Sequence, residues 1–131
     1  MNDYDETPNL FFVNLKGHAV TVLDLHGERV LALPSNGREA VIYHSYETEG
    51  SWLGNVPLKT LSTTVVVREA GGRTTPFPEP ERGKVYVVAA AVCARLMEDG
   101  RTDVYCPGPL VKDGSRTLGC VGLARHNHNN S

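Results

Sequence analysis

The sequence predicts a single compact α+β domain, mainly antiparallel β-sheet with one or two short helices, over residues 10–124. Three observations predict it. Short runs of strand-forming residues alternate with glycine-containing turns between residues 10 and 68. One alanine-rich stretch later in the chain favours a helix. The 131 residues, 40% of them apolar, suffice for one domain with a modest core.

The first half of the chain predicts strands. Two runs of alternating apolar and polar residues, 19–24 and 29–34, flank a turn at Gly27 and predict a β-hairpin. Residues 46–57 contain two glycines and a proline, and they predict a turn or a mobile loop carrying Trp52, the only tryptophan. Further strands are predicted in residues 10–15, 38–45 and 58–68.

The second half is organised around one buried strand. Residues 69–83 are rich in proline and glycine, which excludes a central strand or a helix. The unbroken apolar run of residues 85–88 predicts a fully buried strand. A short helix is expected over residues 89–97, ending near Gly100. Two more strands are predicted, in residues 101–107 and 117–123.

Composition limits the function classes. The formal net charge of −2 gives no general attraction to long nucleic acids or acidic membranes. No apolar run approaches the roughly 18–20 residues that span a bilayer. The N-terminal segment, residues 1–9, is predicted to be a flexible tail without a secretion signal, and residues 125–131 a disordered tail. Three cysteines without paired spacing favour a reducing cytosol over disulfides or a metal site.

Motifs for catalysis are missing from the sequence. It has no Gly-x-Ser-x-Gly elbow, no phosphate-cradling glycine loop and no recognisable pair of glycosidase carboxylates. We therefore predict no catalytic residues, no cofactor and no metal, and look for a binding site.

Polar pairs near the end of the chain are the best binding candidates. Arg101 offers a planar fork of donors for phosphate or carboxylate oxygens, and Asp103 shares its face if the segment is a strand. Asp103 could orient Arg101 or accept ribose hydroxyls, and Lys112, with Asp113 next to it, could add a point charge for a phosphate. Phe77 is a candidate for stacking on a base, as are Tyr86, Tyr105 and Trp52. Asn14 and His18 complete the predicted set.

A purely structural interpretation of these residues stays open. Neighbouring Arg–Asp and Lys–Asp side chains at a surface usually form weak ion pairs of about 0–1 kcal/mol. Asp113 followed by Gly114 is also a common turn. A stiff proline segment presenting Phe77 can support a ligand face, or it can simply cover the core.

The same segments carry a resemblance to a known family. The motifs are Asn14-Leu15-x-x-His18, Pro34-Ser35-x-Gly37, Pro57, the proline segment before Gly83-x-x-Tyr86-Val87-Val88, Arg101-x-Asp103-x-x-x-Pro107, and Lys112-Asp113 ahead of Gly119-Cys120. Together they resemble the phage anti-Thoeris sponge proteins, over most of residues 10–124. Members of that family bind cyclic ADP-ribose isomers made by a bacterial immune sensor, and some also bind cyclic oligonucleotides of the related CBASS defence.

The resemblance implies an α+β fold, a homo-oligomer such as a dimer or hexamer, and pockets near subunit boundaries. It implies sequestration of the ligand without catalysis, in the cytoplasm of an infected bacterial host. Two positions depart from the family pattern, Lys112 where arginine is usual and Gly17 where proline is usual. The lysine cannot reproduce bidentate phosphate recognition.

Two other functions remain open at the level of the sequence. One is a hydrolase acting on the same nucleotide signals. The other is a structural or protein-interaction module of phage origin, which would bind a protein and no small ligand.

Overall fold

The computed structural model describes residues 10–127. The predicted tail of residues 1–9 and the end of the predicted C-terminal tail, residues 128–131, lie outside the described residues. Eleven strands and one helix are seen in the described range: β1 Phe11–Asn14, β2 Val20–Leu23, β3 Arg29–Leu33, β4 Arg38–Leu53, β5 Val56–Glu69, β6 Thr74–Pro76, β7 Lys84–Val87, α1 Ala90–Glu98, β8 Val104–Pro107, β9 Leu110–Asp113, β10 Arg116–Val121 and β11 Leu123–Ala124.

The strands form three sheets, in the orders β1-β7-β8-β11, β3-β2-β10-β9 and β4-β5-β6. The predicted β-rich domain with a short helix is confirmed, but its sheets are mixed. The pairs β1–β7, β7–β8 and β2–β10 are parallel. The parallel pair β7–β8 has a physical cause, because α1 carries the chain back across the sheet and so sets both strands in one direction.

The first sheet is the central layer of the core. Tyr86 and Val88 pack into a cluster with α1 and the start of the β4–β5 pair. Val87, between them in sequence, packs into a second cluster with β2 and β10. Side chains that alternate between two covered faces confirm the prediction of a fully buried strand at residues 85–88.

The end of α1 positions the residues that follow it. Gly100 has φ +91°, and its backbone N–H donates to the carbonyl of Met97. The N–H of Arg101 donates to the carbonyl of Leu96. This pair of bonds is the Schellman motif, and it ends the helix where the sequence predicts. It also fixes where the chain leaves the helix, and therefore where Arg101 stands.

The prediction of a loop over residues 46–57 is wrong. Strand β4 continues to Leu53 and pairs with β5 in one long antiparallel ribbon that turns at residues 54–55. A bulge between Thr48 and Trp52 accommodates Gly50, which has φ +83°. The aromatic and β-branched residues of this segment therefore extend the strand in spite of its glycine.

The segment of residues 69–83 holds only the short strand β6, which pairs with β5 at the edge of the sheet. This agrees with the prediction that the segment joins no central strand. No helix in the described range is long and apolar enough to cross a membrane. Residues 125–127, the start of the predicted disordered tail, are described, and the His126 ring lies 2.9 Å from the carbonyl oxygen of Ala90.

Candidate functional site

Arg101 and Asp103 form a tight pair, but within the chain. Nε and Nη2 of Arg101 donate to the two carboxylate oxygens of Asp103 at 3.0 and 2.8 Å. Nη1 donates to the carbonyl of Pro78 at 2.9 Å. Both side chains are 16% exposed. All three nitrogens of the guanidinium therefore have acceptors before any ligand arrives.

Phe77 belongs to the same cluster. The guanidinium carbon of Arg101 lies 4.9 Å from the centre of the Phe77 ring, and the buried Tyr86 meets that ring edge-on at 5.3 Å. These contacts hold residues 76–82, which we call the proline loop, against the core. Arg101 and Asp103 thus fix the loop in place, and one face of Phe77 is already covered.

Asn14 is used inside the fold as well. It is 4% exposed, and its Nδ2 lies 2.9–3.2 Å from the carbonyls of His18, Leu33 and Pro34. Its Oδ1 accepts from the backbone N–H of Lys16 at 2.9 Å. The side chain ties the end of β1 to the end of β3, and no polar atom is left for a ligand.

The remaining predicted residues lie elsewhere. His18 is exposed, with Nδ1 3.0 Å from the carbonyl of Ala19. It lines a groove of about 610 Å³ together with Leu110 and Leu118. Lys112 and Asp113 are exposed at the end of β9, opposite Thr117 and Arg116 in the register. Of the predicted set, the structure brings together Arg101, Asp103 and Phe77 in one cluster, and Asn14 separately contacts the backbone carbonyl of His18.

The proline loop forms one wall of a larger cleft, with a volume of about 740 Å³. The opposite wall is made by β1 and by the link between β3 and β4. The lining residues are Phe11, Phe12, Val13, Asn14, Leu33, Pro34, Asn36, Arg38, Pro78, Glu79, Pro80, Glu81, Lys84 and Tyr86. Concave sites for small molecules commonly have volumes of about 300–1,000 Å³.

Arg38 lines this cleft and has neither a carboxylate partner nor an acceptor for its Nε among the described residues. Its Nε is buried, and among the described residues it has no hydrogen-bond partner. Within the same part of the chain, Arg38 is in none of the ion pairs. A buried N–H left without an acceptor costs about 1–3 kcal/mol. Nε has almost no accessible surface, so an anion in the cleft would meet the terminal Nη1 and Nη2 atoms of the guanidinium.

The sequence predicts no site role for Arg38 and places it only at the start of the strand predicted over residues 38–45. A signal was nevertheless present, because Arg38 is in alternation with Ala40 and Ile42. In the structure Ala40 is 2% exposed and Ile42 packs against the same cluster. An arginine at the start of a row of core-facing residues can bury its methylene groups against the core while its guanidinium lies at a cleft.

The other side chains of the cleft are an exposed aromatic ring, one lysine and two carboxylates, Glu79 and Glu81, so with Arg38 the formal charges of the lining balance. Phe11 is 63% exposed, and Nζ of Lys84 lies 6.0 Å from its ring centre. Lys84 is paired with Glu81 at 3.2 Å. The cleft therefore offers one exposed aromatic face, one unpaired cation and a second cation that is already neutralised.

Two smaller clefts, of about 270 and 260 Å³, adjoin Arg101 on the other sides of the proline loop. No group of three or more histidine, cysteine, aspartate or glutamate side chains in the described chain is arranged to hold a metal ion. Burial, with a contribution from nearby Cys106, raises the pKa of the Cys93 thiol to about 11, so this cysteine is a poor nucleophile.

Comparison with protein-family models, curated proteins and solved structures finds no match to the chain.

Proposed function

We propose that this protein binds and sequesters a cyclic nucleotide-type immune signal, a cyclic ADP-ribose isomer or a cyclic oligonucleotide, without cleaving it. The ligand lies in the cleft between β1 and the proline loop, and a phosphate is held by Arg38. The proposal places the protein in the cytoplasm of an infected bacterial host, as a homo-oligomer. The observation that carries it is Arg38, which is in no ion pair among the described residues and lines a cleft of nucleotide size.

The chemistry of Arg38 supports a phosphate over a neutral ligand. A guanidinium presents donors in a plane that matches two oxygens of one phosphate. In this conformation the phosphate would accept from the terminal Nη1 and Nη2 atoms, because Nε has almost no accessible surface. Charge-assisted hydrogen bonds of this kind contribute about 1.5–3 kcal/mol each. The exposed ring of Phe11 at the same cleft is placed to stack on a base, worth roughly 1–3 kcal/mol.

The fixed proline loop supports tight binding. A sponge must compete with a receptor at low signal concentration, which calls for nanomolar affinity, about −12 kcal/mol. Ordering a mobile wall on binding would reduce that affinity. Here the three donor contacts of Arg101 hold the wall before the ligand arrives. In the proposal Arg101 and Asp103 therefore shape the site without touching the phosphate.

The lining also favours retention over hydrolysis. Of the described residues lining the cleft, none is a serine, threonine, cysteine or histidine. The carboxylates, Glu79 and Glu81, lie on the proline loop, and Glu81 is paired with Lys84. Covalent catalysis through a serine, threonine, cysteine or histidine nucleophile therefore has no candidate among the described lining residues.

Calorimetry tests the proposal. Cyclic ADP-ribose isomers and cyclic di- and trinucleotides are titrated into the full chain and into Arg38→Ala. At least one of these ligands should bind, and Arg38→Ala should weaken it roughly ten- to a hundred-fold, the loss of one charge-assisted contact. Arg29→Ala removes an exposed arginine that does not line the cleft, and it should bind like the parent protein.

Recovery of the ligand separates sequestration from hydrolysis. After saturation the protein is denatured by heat, and the released nucleotide is identified by chromatography. An intact ligand is expected, and conversion to a linear product would show a hydrolase instead. Heat signals absent for every ligand, or equal binding by Arg38→Ala and the parent protein, would contradict the proposed site. Residues 3, 5 and 6 are acidic and precede Phe11, so a chain beginning at residue 10 is titrated in parallel to exclude competition from them.

A further inference from the structure

The outer part of the β4–β5 ribbon, residues 43–62, extends past the rest of the fold, and we call it the arm. On the row of the ribbon that faces α1, the pairs Ala40–Val67 and Ile42–Val65 lie in the core. The last anchor is Thr63, whose Oγ1 and carbonyl accept from Arg95 at 3.2 and 3.0 Å. The next pair on that row, Tyr46 with Leu61, has no cover.

The arm exposes an unusual share of large apolar side chains. Of the twelve that are exposed in the described chain, six lie in these 20 residues, and each is more than half exposed. They are Tyr43, Tyr46, Trp52, Leu53, Val56 and Leu61. A lone two-stranded hairpin is only marginally stable in water. A ribbon of this length with this surface is therefore typical of a segment that becomes covered by a partner.

The polar side chains of the arm are bonded to each other, and their charges nearly cancel, so they do not favour a charged partner. Glu49 already accepts from Ser51 at 2.8 Å and from Thr60 at 3.1 Å. Nζ of Lys59 donates to Thr48 at 3.3 Å. With Glu47, the arm carries two acidic groups and one basic group, so its net charge is close to neutral. A strongly charged partner, such as a nucleic acid, finds no complement here.

One face of the arm offers a compact apolar row for a second copy. A fully buried aromatic side chain removes about 150–250 Å² from water, and two aromatic side chains on the face of Leu61, Tyr46 and Trp52, are still more than half exposed. Tyr43, Leu53 and Val56 lie on the opposite face by strand alternation, so this row corresponds to an interface below the ~800 Å² per partner of the standard size. Its strand edges are open as well, because β5 pairs with β6 only at residues 66–68.

We propose that the arms of two copies of this chain pack against each other through the row of Tyr46 and Leu61 and the tip at Trp52, giving a two-fold symmetric dimer. A two-fold interface needs only one self-complementary patch, because each residue meets its counterpart from the other copy. A nearly neutral apolar row with internally bonded polar neighbours meets that condition. The proposal gives the homo-oligomer of the proposed function a specific surface and rests on it in that respect. None of the arm residues lines the Arg38 cleft, so failure of the dimer would leave the ligand site untouched.

Sedimentation equilibrium of the full chain tests the dimer. The parent protein should sediment at twice the 14.3 kDa of the chain, or at an even multiple of it. Leu61→Lys should halve that mass or weaken association roughly ten-fold or more, as expected for an interface centre. Leu25→Lys is the matched control, since Leu25 is 89% exposed outside the arm, and it should leave the mass unchanged.

A second variant tests the competing arrangement, in which the arm enters the groove beside Leu110 of a neighbour. Leu110 is 61% exposed and lines that groove. The proposal expects Leu110→Lys to associate like the parent protein. Dissociation by Leu110→Lys would overturn it, as would a monomeric parent protein at about 100 μM, a concentration where a micromolar dimer is formed.

The single tryptophan gives an independent readout that needs no variant. Trp52 is at the end of the arm and is 63% exposed in the single chain. If the arms pair, its fluorescence should shift to longer wavelength as the protein is diluted, with unchanged far-UV circular dichroism. Association that persists in Leu61→Lys together with a concentration-independent emission would assign the oligomer to another surface.

Discussion

Two arginines beside the proline loop differ in whether their donors already have acceptors within the chain. Arg101 donates from three nitrogens to Asp103 and to Pro78, and its plane covers Phe77. Arg38, across the loop, has a buried Nε without an acceptor and no ion pair among the described residues. The first is part of the fold's own bonding, and the second has capacity for a ligand. An arginine next to a cleft is thus informative only after its donors are counted.

The largest effect expected from this contrast is on stability at Asp103. Asp103→Ala leaves the guanidinium of Arg101 mostly buried without its carboxylate, and breaking such a pair is costly. We expect a loss of about 3 kcal/mol in the free energy of unfolding, measured by urea denaturation. The double variant Arg101→Ala/Asp103→Ala should lose less than the sum of the single variants, because it leaves no charge unpaired. Additive losses would show that the two side chains act independently.

Much of this contrast could not be read from the sequence. The sequence predicts a shared face for Arg101 and Asp103 only if residues 101–107 form a strand, and strand β8 begins only at Val104. The two side chains pair in the bend before β8, so strand alternation is not the reason that they meet. The third acceptor, Pro78, lies 23 residues earlier in the chain. Only the tertiary fold brings it to Arg101, and that contact decides whether the guanidinium is free.

For the fold as well, features set by local sequence could be predicted and features set by long-range pairing could not. Local patterns correctly predicted the β2–β3 hairpin, the buried strand β7 and the end of α1 at Gly100. The long β4–β5 ribbon was missed, because the turn-forming residues between 46 and 57 are absorbed by a bulge that depends on pairing with β5. The parallel pairing of β2 with β10 joins segments about a hundred residues apart, beyond any local signal.

A smaller effect on stability is expected when each arginine is replaced by lysine, which keeps the positive charge and changes only the geometry of the donors. Arg101→Lys keeps the positive charge but cannot donate to Asp103 and to Pro78 in one plane. We expect it to lower the free energy of unfolding by about 1–2 kcal/mol, the value of one or two hydrogen bonds. Arg38→Lys should leave stability unchanged, since no internal bond is lost. Equal losses in the two lysine variants, measured by urea denaturation, would mean that Arg38 has an internal partner after all.

The smallest effect discriminates best between two roles for Arg38. If Arg38 stabilises the fold, its removal should lower the free energy of unfolding, and if it only binds a ligand, its removal should leave that free energy unchanged or raise it. Arg38→Met preserves an apolar stem while removing the buried Nε that lacks an acceptor. Relief of that unsatisfied donor should offset any lost packing, so the free energy of unfolding should change by less than about 0.5 kcal/mol, or rise. The same variant should bind the nucleotide as weakly as Arg38→Ala. Thermal and urea unfolding beside calorimetry measure both quantities on one preparation. A loss of stability near that of Asp103→Ala would place Arg38 with Arg101 among the residues that hold the fold together, and the cleft would then have no cation to offer a phosphate.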